Sequence, residues 1–294
     1  MGNSKGVFEQ SGVFVKIFIL VAITLFFTLI LSPIVGLITF SNPSDIGLLK
    51  MSQLLLSIGV FVLPPFVLAY LISFKPFTFL HLAKKKINWI DIISVVLFMI
   101  IIIPFINLLG DLNHQLVLPK VFSGLETWMK TSEEQATQLT EKLLQVHTFQ
   151  GLIFNIFLIA VLPAIGEELY FRGGLQGVIQ QRQGAKNAIW MTAIIFSTIH
   201  FQFYGFVPRL LMGAFFGYLL VWSENMWLPI TAHFINNVIA VIFYYLQFNG
   251  SKLPDIDSIG IGNTLWVGLA SGALGLFGFF WFKKRFELQK SENN

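Results

Sequence analysis

Apolar runs far longer than a soluble protein uses recur along the chain, separated by short polar stretches. Residues 17–40, 51–74, 92–110, 148–166 and 259–282 contain no Asp, Glu, Lys, Arg or His. A hydrocarbon core about 30 Å thick is crossed by roughly 20 apolar residues in a helix, so each run predicts one transmembrane helix. A further apolar stretch, 187–251, is interrupted by His200, Arg209, Glu224 and His233. It divides into three more helices near 187–204, 208–223 and 226–247. Backbone groups in lipid must be bonded within the segment, and runs this continuous lack the alternation of barrel strands. The expected fold class is therefore all-α, a polytopic transmembrane bundle of about eight helices, with residues 1–294 forming a single integral membrane domain.

Pro33, Pro64, Pro65, Pro104 and Pro163 fall inside apolar runs, where they are expected to kink helices whose freed carbonyls find partners on neighbours. Gly213 with Gly217, and Gly268 with Gly272, are small-xxx-small pairs that let helices approach closely.

Composition agrees with this reading: 55% of the 294 residues are hydrophobic and only 12% charged, against roughly 25% in soluble domains. The charges that exist are unevenly placed. With eight crossings both termini share one side, and Lys75, Lys84, Lys85, Lys86 and Lys283, Lys284, Arg285 fall there too. By the positive-inside rule that side is cytoplasmic, which predicts a multi-pass protein of the cytoplasmic membrane with both termini inside the cell. The first run is longer than the apolar region of a signal peptide and no small-residue cleavage site follows it, so it reads as a retained anchor. Segment 112–147 carries Lys120, Lys130 and Lys142 against Glu126, Glu133, Glu134 and Glu141. It is expected to be extracytoplasmic and to form an amphipathic helix. The sequence pI of 9.2 reflects lysines facing anionic headgroups; no nucleic-acid motif accompanies it. With no cysteine, thiol nucleophiles, disulfides and thiolate metal sites are excluded.

Candidate chemistry begins at the end of the fourth run, with Glu167, Glu168 and Arg172 in Gly166-Glu167-Glu168-Leu169-Tyr170-Phe171-Arg172. Ionisable groups at membrane depth cost roughly 2.5–3.5 kcal/mol each on insertion scales and usually pair or serve a site. Glu168 and Arg172 are i,i+4 with the acid first, a pairing geometry, whereas Glu167 is rotated by about 100° and has no local cation. An unpaired carboxylate in a partly dry cavity suits a general base acting on water; an ordinary charged helix end is the plain alternative. If the chain turns near Gly184, Glu167 lies 17 residues before the turn and His200 lies 16 after it, at one depth. Phe196 is one turn before His200. His233 and Asn237 are again i,i+4 and form a polar stripe near the start of another helix, as oxyanion donors would. Helix-to-helix hydrogen bonding is the structural alternative for each.

Together, Glu167-Glu168-xxx-Arg172, Phe196-xxx-His200 and His233-xxx-Asn237 resemble the three motifs of the CAAX prenyl endopeptidase type II and bacteriocin-processing membrane proteases. The resemblance covers about residues 149–246, the expected catalytic core. It implies peptide-bond hydrolysis near the cytoplasmic face: Glu167 with His200 activating water, His233 with Asn237 holding the oxyanion, Glu168 and Arg172 supporting the site. It implies a protein or peptide substrate, C-terminal or lipidated among the options, with membrane lipid as surroundings and no nucleic acid. No cofactor is required in this reading. Zinc is the alternative, and its ligands would be Glu167, His200 and His233. Other intramembrane proteases are disfavoured: there is no HExxH or GxSxG, and Leu109-Gly110-Asp111 lacks the glycine of a GxGD pattern. A transporter or proton relay predicts an inverted repeat, which is not found. A non-catalytic scaffold or immunity protein is the third possibility, and the three intact motifs argue against it.

Overall fold

The computed structural model describes residues 6–42, 44–83, 88–253 and 255–292; Lys84, Lys85 and Lys86 lie outside them. Among the described residues the chain is helical throughout, with no strand. Seven helices are long and apolar enough to cross a membrane: α1 (Val13–Ser41), α2 (Ile46–Ile72), α3 (Trp89–His114), α5 (Phe149–Thr198), α6 (Phe206–Ser223), α7 (Trp227–Phe248) and α8 (Leu265–Glu292). Between α3 and α5 lies the amphipathic α4 (Ser123–Leu144). The expected count of about eight is reached because α5, 50 residues long, is two legs broken at Gly184. There φ is +74°, a conformation only glycine takes without strain.

Local chemistry explains where several helices begin. Asp45 accepts from the backbone N–H groups of Gly47 and Leu48, Asn88 from Ile90 and Thr148 from Gly151, each satisfying orphan donors of a first turn. The prolines act as expected on the hydrogen-bond ladder. At Pro104 the α8 residue Ser271 inserts, its Oγ donating to Ile101 O and accepting from Phe105 N–H. Wide π-turns occupy Ile58–Val62, Ile156–Val161 and Leu169–Gln176. The first two run up to Pro64 and Pro163, and the third carries Arg172.

Packing follows the small residues. α8 lies along α3, where a Cβ on Gly272 would stand 2.6 Å from the Phe105 ring, so glycine sets the approach. The second leg of α5 pairs with α6. One apolar core joins α3, α6, α7 and α8 through Met99, Phe216, Leu228 and Phe282; another joins α1, α2 and α5 through Leu20, Leu68, Phe171 and Phe196. The site lies where they meet.

Contacts sort the helix ends into two groups. Gly6 N–H donates to Tyr70 O, Met226 N–H to His81 O, Lys290 pairs with Glu224, and Arg285 pairs with Asp91. The N-terminal segment, the loop after α2, the α6–α7 turn and the end of α8 thus gather at one end of the bundle. At the opposite end, Asn113 Nδ2 donates to Phe203 O and Asn249 Nδ2 to Val146 O.

Candidate functional site

Glu167 and Glu168 close the regular α-helical turn Leu162–Glu168, immediately before the π-turn. Consecutive positions point to different surroundings, and the two carboxylates are accordingly held differently.

Glu168 is fully buried and Arg172 almost so. Arg172 Nη1 donates to Glu168 Oε1 at 2.8 Å, Nη2 donates to Gly213 O at 3.0 Å, and the guanidinium lies over the Phe196 ring, 4.5 Å from its centroid. Below it, Gln176 Nε2 donates to Gly217 O at 3.3 Å. Both glycines of the α6 pair therefore present bare backbone to polar groups of α5. The pairing of Glu168 with Arg172 is the local i,i+4 contact expected from the sequence. A second partner was not legible there: His233 Nδ1 lies 2.8 Å from the same Glu168 Oε1.

Glu167 faces a small opening. Its Oε2 is 3.9 Å from His200 Nε2 and 3.9 Å from His233 Nε2, with the carboxylate, His200 and His233 side chains 15%, 27% and 8% exposed. The tautomers follow from the outer edges of the rings. A carbonyl can only accept, so His200 Nδ1 carries the hydrogen it shares with Phe196 O at 2.6 Å. His233 Nδ1 likewise donates to the carboxylate of Glu168. In neutral rings, each Nε2 then offers a lone pair toward Glu167. Three acceptors turned on one space call for a proton or a cation among them, and a water between Glu167 and either histidine supplies two hydrogens.

The spacing of the three donors bears on the zinc alternative. Ligands about 2.0–2.1 Å from a tetrahedral zinc lie about 3.3–3.4 Å apart, whereas these atoms stand 3.9 Å apart. Among the described residues no three His, Asp or Glu side chains are arranged to hold a metal ion. Both histidines have the outer hydrogen bonds that metal-bound imidazoles use, and the three donors stand wider apart than ligands closed on zinc.

Asn237 is placed by a proline. Pro163 has no N–H for the carbonyl four residues back, which is Ile159, and Asn237 Nδ2 donates to that oxygen at 3.2 Å. Asn237 Oδ1 accepts from Asn236 Nδ2 at 3.1 Å. One Nδ2 hydrogen remains. Thus Glu167, His200 and His233 come together, Glu168 and Arg172 stand behind them, and Asn237 sits one turn along α7 from His233 with part of its amide already engaged.

Sequence reasoning passed over Arg209, treated only as an interruption of an apolar stretch. Its Nη1 and Nη2 donate to the backbone and side-chain oxygens of Gln202, at 3.1 and 2.7 Å. The available signal was its membrane depth, where an unpaired cation is costly. Phe216, stacked on His233 at 5.5 Å, had no such signal.

Comparison with known proteins bears on the same segment. Residues 149–239 match the family model described as type II CAAX prenyl endopeptidase Rce1-like, a range that contains every candidate residue from Glu167 to Asn237. The chain is similar to the uncharacterized protein YpbD of Bacillus subtilis (strain 168), 31% identical over 85 residues, which are 28% of this chain and 41% of that protein. The match thus spans less than half of that relative's length. No solved structure matches.

Proposed function

We propose, because residues 149–239 match the model of the Rce1-like type II CAAX prenyl endopeptidase family, that the chain belongs to that family and is an intramembrane endopeptidase of the glutamate type. The observation that carries the reading is the equal 3.9 Å approach of Glu167 Oε2 to the Nε2 atoms of His200 and His233.

In the proposed mechanism a water sits between Glu167 and His200. Glu167 takes its proton as the oxygen attacks the peptide carbonyl, and the same proton passes to the departing amine. His233, with Nδ1 tied to Glu168, has only Nε2 left to present; carrying there a proton taken up from solvent before the reaction and kept through it, the imidazolium donates to the tetrahedral oxyanion beside the free Nδ2 hydrogen of Asn237. Arg172 pairs with Glu168, and the same carboxylate oxygen orients the His233 ring. None of these steps uses a cofactor.

Depth supports a reaction within the bilayer. His233 lies six residues, about 9 Å of helix rise, from the start of α7 at Trp227, the end tied to the loop after α2. If the positive-inside rule holds, that end and both termini face the cytoplasm of a cell membrane, while the loop after His200 is held by Asn113 and α4 at the opposite end, so cleavage occurs at membrane depth between the two. The proposed substrate is a membrane-associated protein or peptide. Purified protein should cleave such peptides, and loss of cleavage in Glu167→Gln with an intact fold is the test; a variant that cleaves as wild type would remove the assignment.

A further inference from the structure

His200 stands outside regular helix. The second leg of α5 ends at Thr198, and the next residue after His200, Phe201, has φ +52°, the left-handed region that a phenylalanine adopts only when its surroundings hold it there. What fixes the imidazole is thus not the α5 ladder alone but whatever grips the loop from Phe201 to Gly205.

The bundle grips it from one side. Arg209 holds Gln202 through two hydrogen bonds, Asn113 binds Phe203 O and accepts from Val207 N–H, and Ser197 Oγ donates to Phe206 O. On its other side the loop meets α4, a helix the catalytic reading does not use. The Trp128 ring lies 5.2 Å from Phe203 and 6.3 Å from Phe201, and Glu133 Oε2 accepts from the backbone N–H of Tyr204 at 3.3 Å. These contacts reach Phe201, the strained residue beside the histidine, and then Phe203 and Tyr204.

We infer that α4 completes the site: Trp128 and Glu133 are positioning residues for His200, clasping the Phe201–Gly205 loop so that Nε2 stays turned toward Glu167. The carboxylate of Glu133 serves as a backbone acceptor, and Trp128 closes the aromatic face of the clasp. The catalytic consequence rests on the peptidase reading; the clasp does not.

The test uses the full chain in detergent or lipid nanodiscs, with diethylpyrocarbonate as probe and the modified histidines located by mass spectrometry. His147, exposed beside the far end of α4, is the internal reference. In Glu133→Ala and Trp128→Ala, modification of His200 should accelerate severalfold while that of His147 is unchanged, and Glu133→Gln, which keeps an acceptor for Tyr204 N–H, should restore the wild-type rate. In the peptidase assay the two alanine variants should lose about 10- to 100-fold in kcat with little change in KM, as expected of a misplaced catalytic group. Unchanged labelling of His200 in both alanine variants, or equal acceleration of His147, overturns the clasp. If labelling responds as expected but the wild-type chain cleaves no peptide, the clasp stands and the peptidase reading falls.

Discussion

The Nδ1 of His233 and the Oε1 of Glu168 are 2.8 Å apart, although 65 residues separate them in the chain. The same oxygen accepts from Arg172. Glu168 therefore joins two duties: it neutralises a buried guanidinium, and it fixes which nitrogen of His233 faces Glu167.

Glu168→Gln should cost stability and activity together. The isosteric amide leaves Arg172 without its counter-ion in a fully buried position, and breaking such a pair costs about 3–5 kcal/mol. Denaturation in mild detergent, followed by tryptophan fluorescence or by loss of monodisperse protein, measures the first effect. A variant as stable as wild type would show that Arg172 is neutralised elsewhere.

Glu167→Gln should leave the fold intact, since among the described residues the Glu167 carboxylate is shown only in its 3.9 Å approaches to the two histidines, longer than a hydrogen bond. Peptide cleavage should fall below detection because the amide cannot take the proton of water. Side-by-side thermal melts and cleavage assays separate these outcomes.

Asn237→Ala should have two separable consequences. Turnover should fall by roughly 10²–10³, the usual loss with an oxyanion donor. Stability should fall by about 1 kcal/mol, because the partly buried Ile159 O loses its donor. Replacing Pro163 by Ala restores a backbone N–H four residues after Ile159. In that background the stability cost of Asn237→Ala should shrink while the turnover loss persists. Equal stability costs in both backgrounds would separate Asn237 from the proline-freed carbonyl.

Metal removal should not abolish the activity. In the proposed mechanism Glu167 and the two histidines act without a metal ion, so chelator-treated protein should retain its cleavage rate. Inactivation by a chelator with recovery on adding zinc would mean that Glu167, His200 and His233 close onto an ion.

Topology can be read with reporter fusions. A phosphatase that folds only outside the cytoplasm should be active when fused after residue 130 and inactive after residue 80. The reverse result would invert the bundle.

Hydrophobic patterning was enough to locate the membrane helices, because a run with no charge over the thickness of a bilayer has only one low-energy conformation there. The salt bridge between Glu168 and Arg172 was equally legible, since i,i+4 neighbours on a helix meet whatever the rest of the chain does. So was the turn at Gly184, where glycine alone tolerates the required φ. Three relationships were not legible and were decided by tertiary packing. His233 takes Glu168 as its partner only because α7 crosses α5 at that level. Asn237 satisfies Ile159 only because Pro163 has freed a carbonyl on the facing helix. Glu133 reaches Tyr204 across 71 residues because α4 folds back over the end of α5. Residues brought together by helix crossing share no period in the chain, so periodicity marks each polar side chain as a candidate but carries no record of which distant group it will meet.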